Sequence, residues 1–440
     1  MFGGIAAAGA ERIWYAAVDG HVVGIEVEGG AVIAQFAVYP SGPESVHVSA
    51  CAVDRDGTIL LGDVKNRCVR RFDDGGLQIA RYGALANPGI DDQDEAGVLT
   101  EPCGLLADAD GILVASGAFG LKHGVQRLDA GGAYRSSFAA PQGGWRRAHG
   151  LARVGGEIWV AETEAGLIRR HAPDGSRVGD LKLPDEIARP FRLAADGYGG
   201  ALVLLAPESA EEQEVFGVAQ VTAEAGFLGW IVDAGEKGGQ VVCPFDVTVL
   251  PDGRFVVADL PLGTPPDVRL QVFASDGRLL RTLMEDVADL QGLQKRWFEK
   301  VLARRDGSAA TLYEQARVHH YYAGGARECL RQAADLYHAS RQEEDTVLAA
   351  LGMAAALAGL GDPEGAERAY RAAAGLGADP AECDARIAEC RHARGDLDGA
   401  IGLLEAAVAA PAPPEDYHRR VEALGTWYLE RSGESDPAVL

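Results

Sequence analysis

The feature that most constrains this chain is a short β-unit that it copies. Residues Cys51 to Gly75, CAVDRDGTILLGDVKNRCVRRFDDG, read as strand, tight turn, strand, polar loop, strand, tight turn. Ala52-Val53 and Ile59 to Leu61 are apolar runs suited to buried strands. Asp56-Gly57 between them supplies a hairpin turn, because glycine takes positive φ without penalty. Asp63 to Arg67 is a polar loop, Cys68 to Phe72 a third strand closed by Asp74-Gly75, and Leu77 to Tyr82 a fourth.

The same order returns. Cys103 to Ala107, Asp110-Gly111, Ile112 to Ala115, Val125 to Leu128 and Gly131-Gly132 make one copy. Gly150 to Arg153, Gly155-Gly156, Ile158 to Ala161, Leu167 to His171 and Asp174-Gly175 make another. Phe191 to Ala195, Gly199-Gly200, Ala201 to Leu205, Val215 to Val221 and Gly226 follow, and then Phe245 to Leu250, Asp252-Gly253, Phe255 to Ala258, Val268 to Phe273 and Asp276-Gly277. Successive later turns lie 56, 44, 51 and 51 residues apart. Upstream, Ile13 to Val18, His21 to Val27 and Val32 to Phe36, with Gly3 to Ala8 innermost, supply a sixth unit. Turn-punctuated strands also fit a β-sandwich or a string of small β-domains. A repeated unit with no long crossover favours radial repetition, a six-bladed β-propeller over residues 1–285.

AVDRDGTILLGDVKNRCVRRFDDGG resembles the NHL repeat, whose pattern is Val-Asp, a Gly turn, a strand ending in Asp, then Asn and Arg-Val. The connection RYGALANPGIDDQDEAGVLTEPCGL is similar to that family's Gly-rich inter-blade loop. Only this blade matches well: Ser116-Gly117 stands at the strand-ending acid in the third blade and Glu162 in the fourth.

At about Met284 strand signals stop, and Ala, Leu, Glu and Arg dominate. Asp289 to Arg305 places Leu290, Leu293, Trp297 and Val301 at helical spacing, which predicts an amphipathic linker helix within 286–307. From 308 to 433 a second repeat runs: GDPEGAERAYRAAAGLGADP at Gly361 and GDLDGAIGLLEAAVAAPAPP at Gly395, 34 residues on. Ala354 and Ala388, Ala366 and Ala400, Tyr370 and Leu404 keep that interval, and Tyr321, Gly325, Leu330 and Tyr337 form a degenerate earlier copy. A 34-residue helix-turn-helix unit with small residues at the crossings resembles the tetratricopeptide repeat (TPR), with Glu415 to Glu430 as a terminal capping helix. The fold class is multidomain β + α, a propeller followed by a TPR-like α-helical solenoid.

Acidic residues outnumber basic ones 65 to 41, a formal charge of −24 that excludes nucleic-acid phosphates and anionic membrane surfaces as natural partners. The N-terminus lacks a secretory pattern, and no window approaches the ~20 apolar residues of a membrane span. Seven scattered cysteines without a CxxC pair argue against a disulfide framework or structural zinc, and predict a reduced, cytoplasmic protein.

The residues entering each innermost strand crowd one mouth of a propeller channel. They are His47, Glu101, Arg147 with His149, Arg192 and Asp246. Six-bladed relatives of this shape include metal-dependent lyases and lactonases with His or carboxylate ligands there. By that likeness His47, His149, Glu101 and Asp246 are candidate ligands for a divalent cation, Ca or Zn, with an arginine for an anionic or other small-molecule ligand. Relatives of the peptide-amidating lyase type use three histidines. Here His21 and His123 fall in later strands, so no third is found. The acidic stretches Asp91 to Glu95 and Glu208 to Glu214 lack the alternating oxygen pattern of a calcium loop. Cys383 and Cys390 share a helix face and read as buried packing. In a TPR-like groove, Glu382, Glu389 and His392 would project beside Leu348 and Leu351 toward a peptide. With no complete catalytic motif, the sequence points to a protein-interaction scaffold or adaptor with a protein or peptide partner. The alternative is a metal-dependent hydrolase or lyase at the channel mouth.

Overall fold

The computed structural model describes residues 3–38, 46–76, 78–83, 95–184, 189–205, 217–260, 268–283, 299, 301–321, 326–410 and 414–432. The chain divides into two compact units, with the main break between Gln294 and Lys295.

The first unit is a six-bladed β-propeller. Its four-stranded antiparallel sheets are built from strands taken in chain order, blade 3 skipping the short strand Phe119–Leu121, and the first strand of each lies innermost, against the first strands of both neighbours. Those inner strands are Gly4–Ala7, Val48–Val53, Pro102–Asp108, Ala148–Val154, Pro190–Ala195 and Cys243–Val249, of blades 1 to 6 in order. The second strand of each blade is sandwiched on both faces, so it is a mainly apolar run such as ILLGD (Ile59–Asp63), buried at every position with its terminal Asp63 paired. The outermost strand faces solvent on one side, and Gln78–Tyr82 alternates accordingly. Between blades, apolar side chains mesh: Ile13, Tyr15 and Ile25 of blade 1 pack on Phe245, Val256 and Leu270 of blade 6, which closes the ring.

The turns after the third strands also join the blades. Gly132 (φ +85°) lies where an added Cβ would fall 1.9 Å from Tyr82 of blade 2, and Gly277 (φ +82°) has Ile231 O of blade 5 at 1.9 Å from that position. In blade 3 the positive φ is at Gly132 and not at Gly131, and of the two glycines Gly132 is the one that meets the neighbouring blade.

The second unit holds seven helices among the described residues: α1 Ala309–Tyr321, α2 Arg327–Glu343, α3 Val347–Leu360, α4 Pro363–Gly375, α5 Pro380–Ala393, α6 Leu397–Ala409 and α7 Pro414–Ser432. Consecutive helices pack on one another. Asp362 caps α4 by accepting from Gly365 N at 2.9 Å, and Asp396, 34 residues on, caps α6 from Gly399 N at 3.1 Å. Ala354, Ala366, Ala388 and Ala400 are fully buried at the helix crossings. Of the expected linker helix, Leu290, Leu293 and Trp297 lie outside the described residues, while Val301 packs on Val318 of α1. Gly325 and both acidic stretches, apart from Glu95, also lie outside them. No helix of the described residues is long and apolar enough to cross a membrane.

Candidate functional site

In blades 2, 4 and 6 a carboxylate at the end of the second strand positions the start of the inner strand. In blade 2, Asp63 accepts from His47 N (3.2 Å), from the Asn66 side chain (2.7 Å) and from Arg70 Nε (2.9 Å). In blade 4, Glu162 accepts from Arg146 N at 2.7 Å and pairs with Arg169, and in blade 6 Asp259 accepts from Val242 N at 3.1 Å and pairs with Arg269. Blade 3 keeps the contact with a hydroxyl instead, Ser116 Oγ accepting from Glu101 N at 3.3 Å. These strand-ending carboxylates, each paired with an arginine of the third strand, thus hold the loop that enters the inner strand of their own blade.

Inside the channel, a cavity of ≈ 340 Å³ is lined by all six inner strands. Arg192 of blade 5 crosses it. Its guanidinium donates to Ser49 O of blade 2 (2.6 Å) and Cys103 O of blade 3 (2.5 Å), reaches His149 O of blade 4 at 3.5 Å, and stands 3.7 Å from the Asp246 carboxylate of blade 6. Asp246 in turn accepts from Ile5 N of blade 1 at 2.7 Å. Burial pushes the Asp246 carboxyl above its ordinary pKa, against the pull of Arg192 and the backbone amides of Ile5 and Val247. Two side chains therefore touch every blade.

The other mouth residues gather between blades 3 and 4. A two-stranded sheet, Phe119–Leu121 with Trp145–Arg146, joins the loop of blade 3 to the start of blade 4. It leaves Phe119 63% exposed. Arg147 follows in a left-handed conformation (φ +59°), and such strain in a residue other than glycine concentrates at functional sites. Its exposed guanidinium lies 3.7 Å from Glu164, which also pairs with Arg189 at 3.1 Å.

Next in the chain, His149 is held through Thr163. The Thr163 hydroxyl donates to Pro190 O at 2.7 Å and lies 2.7 Å from His149 Nδ1. A hydroxyl has one proton and a carbonyl can only accept, so Nδ1 is the donor and Nε2 carries the lone pair. Burial, reinforced by the charges of Arg192, Arg147 and Arg189, pushes the imidazole pKa down to about 3. Glu101 Oε2, His149 Nε2 and Cys103 Sγ all lie 2.9–3.0 Å from the point where a Cβ on Gly117 would stand. Burial raises the Cys103 thiol to about 11, so it is not a thiolate at neutral pH.

His47 sits half-buried at the mouth with its pKa lowered, chiefly by burial, and its Nε2 is buried without a hydrogen-bond partner. Among the described residues, no three His, Cys, Asp or Glu side chains are grouped to hold a metal ion.

In the helical unit, Glu382 of α5 is bound by Arg386 of the same helix (2.8 Å) and by Arg419 (3.0 Å) and Arg420 (2.9 Å) of α7. Burial opposes its ionisation, but Arg386, Arg419 and Arg420 outweigh it and hold the carboxyl below its ordinary range. His392 bonds Glu430 at 2.8 Å and stacks on Trp427 at 4.7 Å, also from α7. Glu389 is exposed beside Arg386, and Leu348 and Leu351 are partly buried on α3. Cys383 and Cys390 are buried, and all seven cysteines are free thiols.

Phe119, Gly117, Cys103 and Thr163 join the site without having been singled out as site residues in the sequence. The longer loop of blade 3, 117–124 against 64–67 in blade 2, was the available signal; the role of Thr163 depends on packing across blades.

No family model matches the chain, and no curated protein does. Among solved structures it is similar to a virginiamycin B lyase from Staphylococcus aureus, at 12% identity and TM-score 0.44, over 65% of this chain and 85% of that one. A structure described as a streptogramin B lyase matches at 13% identity and TM-score 0.45, over 65% and 83%. A protein of unknown function from Bacteroides caccae matches at 16% identity and TM-score 0.44, over 61% and 91%.

Proposed function

We propose that this protein is a non-enzymatic interaction scaffold. The mouth face of the propeller presents one binding surface, centred between blades 3 and 4. The helical region, which resembles a TPR array in its 34-residue period, presents a second, which takes a peptide beside Leu348, Leu351 and Glu389. The observation that carries this reading is the division of work at the mouth. Arg192 and Asp246 are committed to holding blades together, and His149 at a pKa of about 3 is far from the ~7 that suits a general base. Phe119 and Arg147 are left outward-facing beside them. The charge of −24 supports a protein or peptide partner rather than a nucleic acid or membrane, and seven free thiols support the cytoplasm.

The test is capture with the intact chain against F119A/R147A and L348E/L351E variants. Each variant should lose a defined partner while keeping the far-UV spectrum of the parent. If neither changes what is captured, the scaffold reading fails.

A second reading, a metal-assisted lyase or hydrolase, has in its favour the lone pair of His149 Nε2 beside the Glu101 carboxylate. It requires stoichiometric zinc or calcium by elemental analysis, lost in H149A or H47A.

A further inference from the structure

We propose that the outward face of the two-stranded sheet at blades 3 and 4, with Phe119, Arg146 and Arg147, docks an acidic segment of a partner protein, in which aspartate or glutamate stands beside a large apolar residue. This rests on the propeller mouth being a binding surface and names what that surface takes.

The sheet has one filled face and one bare face. Trp145 is fully buried on the inner side, packed with Phe138 and Val160. Successive residues of a strand point to opposite faces, so Arg146 points outward, and its cross-strand partner Phe119 lies on the same side. Both are exposed. A bare ring next to a bare guanidinium suits an occupant with an apolar group and an anion at neighbouring positions.

The cations here exceed what their own carboxylates satisfy. Arg146 makes no ion pair or side-chain hydrogen bond among the described residues. The Arg147 guanidinium comes within 3.7 Å of Glu164, too far for a hydrogen bond. Glu164 is shared with Arg189, whose Nε is buried without a partner. Even with Glu101, near His149, three arginines stand against two carboxylates, in a chain whose formal charge is −24. After burial, the charges of Arg192, Arg147 and Arg189 are what lower the His149 pKa, so the local field at the mouth is positive. At physiological salt the Debye length is about 8 Å, so an occupant responds to these arginines rather than to distant carboxylates.

The arginines are also held in place. Glu162 accepts from Arg146 N at 2.7 Å, and Thr163 N donates to Arg147 O at 3.1 Å, so a pinned backbone presents both side chains. Guanidinium groups pair with carboxylates through two parallel N–H···O bonds, which favours Asp or Glu over a neutral side chain. A nucleic-acid backbone is held by a longer row of cations than this.

The experiment is fluorescence anisotropy of the dye-labelled, N-acetylated and C-amidated peptide DEFEDE with the intact chain, in about 0.15 M salt. The expected result is saturable binding, with the neutral peptide NQFQNQ and the basic peptide KRFKRK about tenfold weaker or more. R146A, R147G and F119A should each raise the Kd about fivefold or more, as the loss of one contact does. Glycine keeps the positive φ at position 147 without strain, so R147G removes the cation and leaves the turn. R55A, on the exposed turn after the inner strand of blade 2, should leave the Kd unchanged. No saturable binding, equal binding of DEFEDE and NQFQNQ, or an affinity that R146A and R147G leave unchanged would overturn the proposal. So would a phosphoserine peptide of the same length binding about tenfold tighter than DEFEDE, which would make phosphate the recognised group. If DEFEDE fails while partner capture still depends on Phe119 and Arg147, this inference falls alone; if both fail, the binding reading falls with it.

Discussion

Arg192 and His149 are adjacent at the channel, yet Arg192 bridges four other blades while His149 is held locally through Thr163. Arg192 replaces water with three carbonyls and a carboxylate from four other blades. Its truncation leaves Asp246 charged, buried and unpaired, a change that costs ~3–5 kcal/mol in comparable pairs. R192M should therefore lose stability on that scale in urea unfolding, and D246N/R192M should recover part of it. His149 acts through pH. Its unfolded imidazole ionises near the ordinary 6.5, whereas the folded one stays neutral down to about 3. Between those values the unfolded state binds the extra proton, so stability is complete above about 6.5 and falls as pH drops toward 3, by up to ~1.4 kcal/mol per unit. Urea unfolding at pH 7 and pH 5 should show this loss in the parent and a smaller loss in H149Q. An equal loss in both would remove His149 as its source.

Among the elements, the blades were legible because each buried strand is a short apolar run closed by a Gly turn. The strand-ending acid Asp63 was visible as part of a pattern, and the structure supplies its reason, a carboxylate that pairs with Arg70 and fixes the loop into the inner strand of its own blade. Phe119–Leu121 and Trp145–Arg146 were not legible, because strands of three and two residues carry no periodicity. The reach of Arg192 was hidden too, since its partners lie 143 and 89 residues away. The helix pairing followed from the 34-residue interval, but the engagement of Glu382 and His392 by α7 did not, because a capping helix was expected without its contacts. Turn glycines divide by environment. Gly132→Ala meets both positive φ and the Tyr82 ring, whereas Gly57→Ala meets only positive φ, with nothing within 4 Å. Thermal unfolding should show G132A costing clearly more than ~1 kcal/mol and G57A less than G132A.

At the scale of the molecule, the propeller closes without exchanging a strand, since blade 1 and blade 6 each use four consecutive strands. The exposed amides of the first strand are instead satisfied by side chains of blade 6, Ile5 N by Asp246 at 2.7 Å and Ala7 N by Thr248 Oγ1 at 3.1 Å. T248V should accelerate amide exchange at Ala7 and cost ~1 kcal/mol, with little change at blades 3 and 4. A ring fastened from within leaves its mouth free to specialise between blades 3 and 4, where function is proposed to lie. That claim turns on His149 being a fixed, neutral acceptor rather than a proton-transfer group. The most direct measurement is the ¹⁵N spectrum of the histidine-labelled intact chain, followed from pH 8 to pH 5. The expected spectrum has His149 with Nδ1 protonated, Nε2 bare and no titration over that range. A His149 that titrates between pH 6 and 7, or carries its proton on Nε2, would contradict it and favour acid–base chemistry at the mouth.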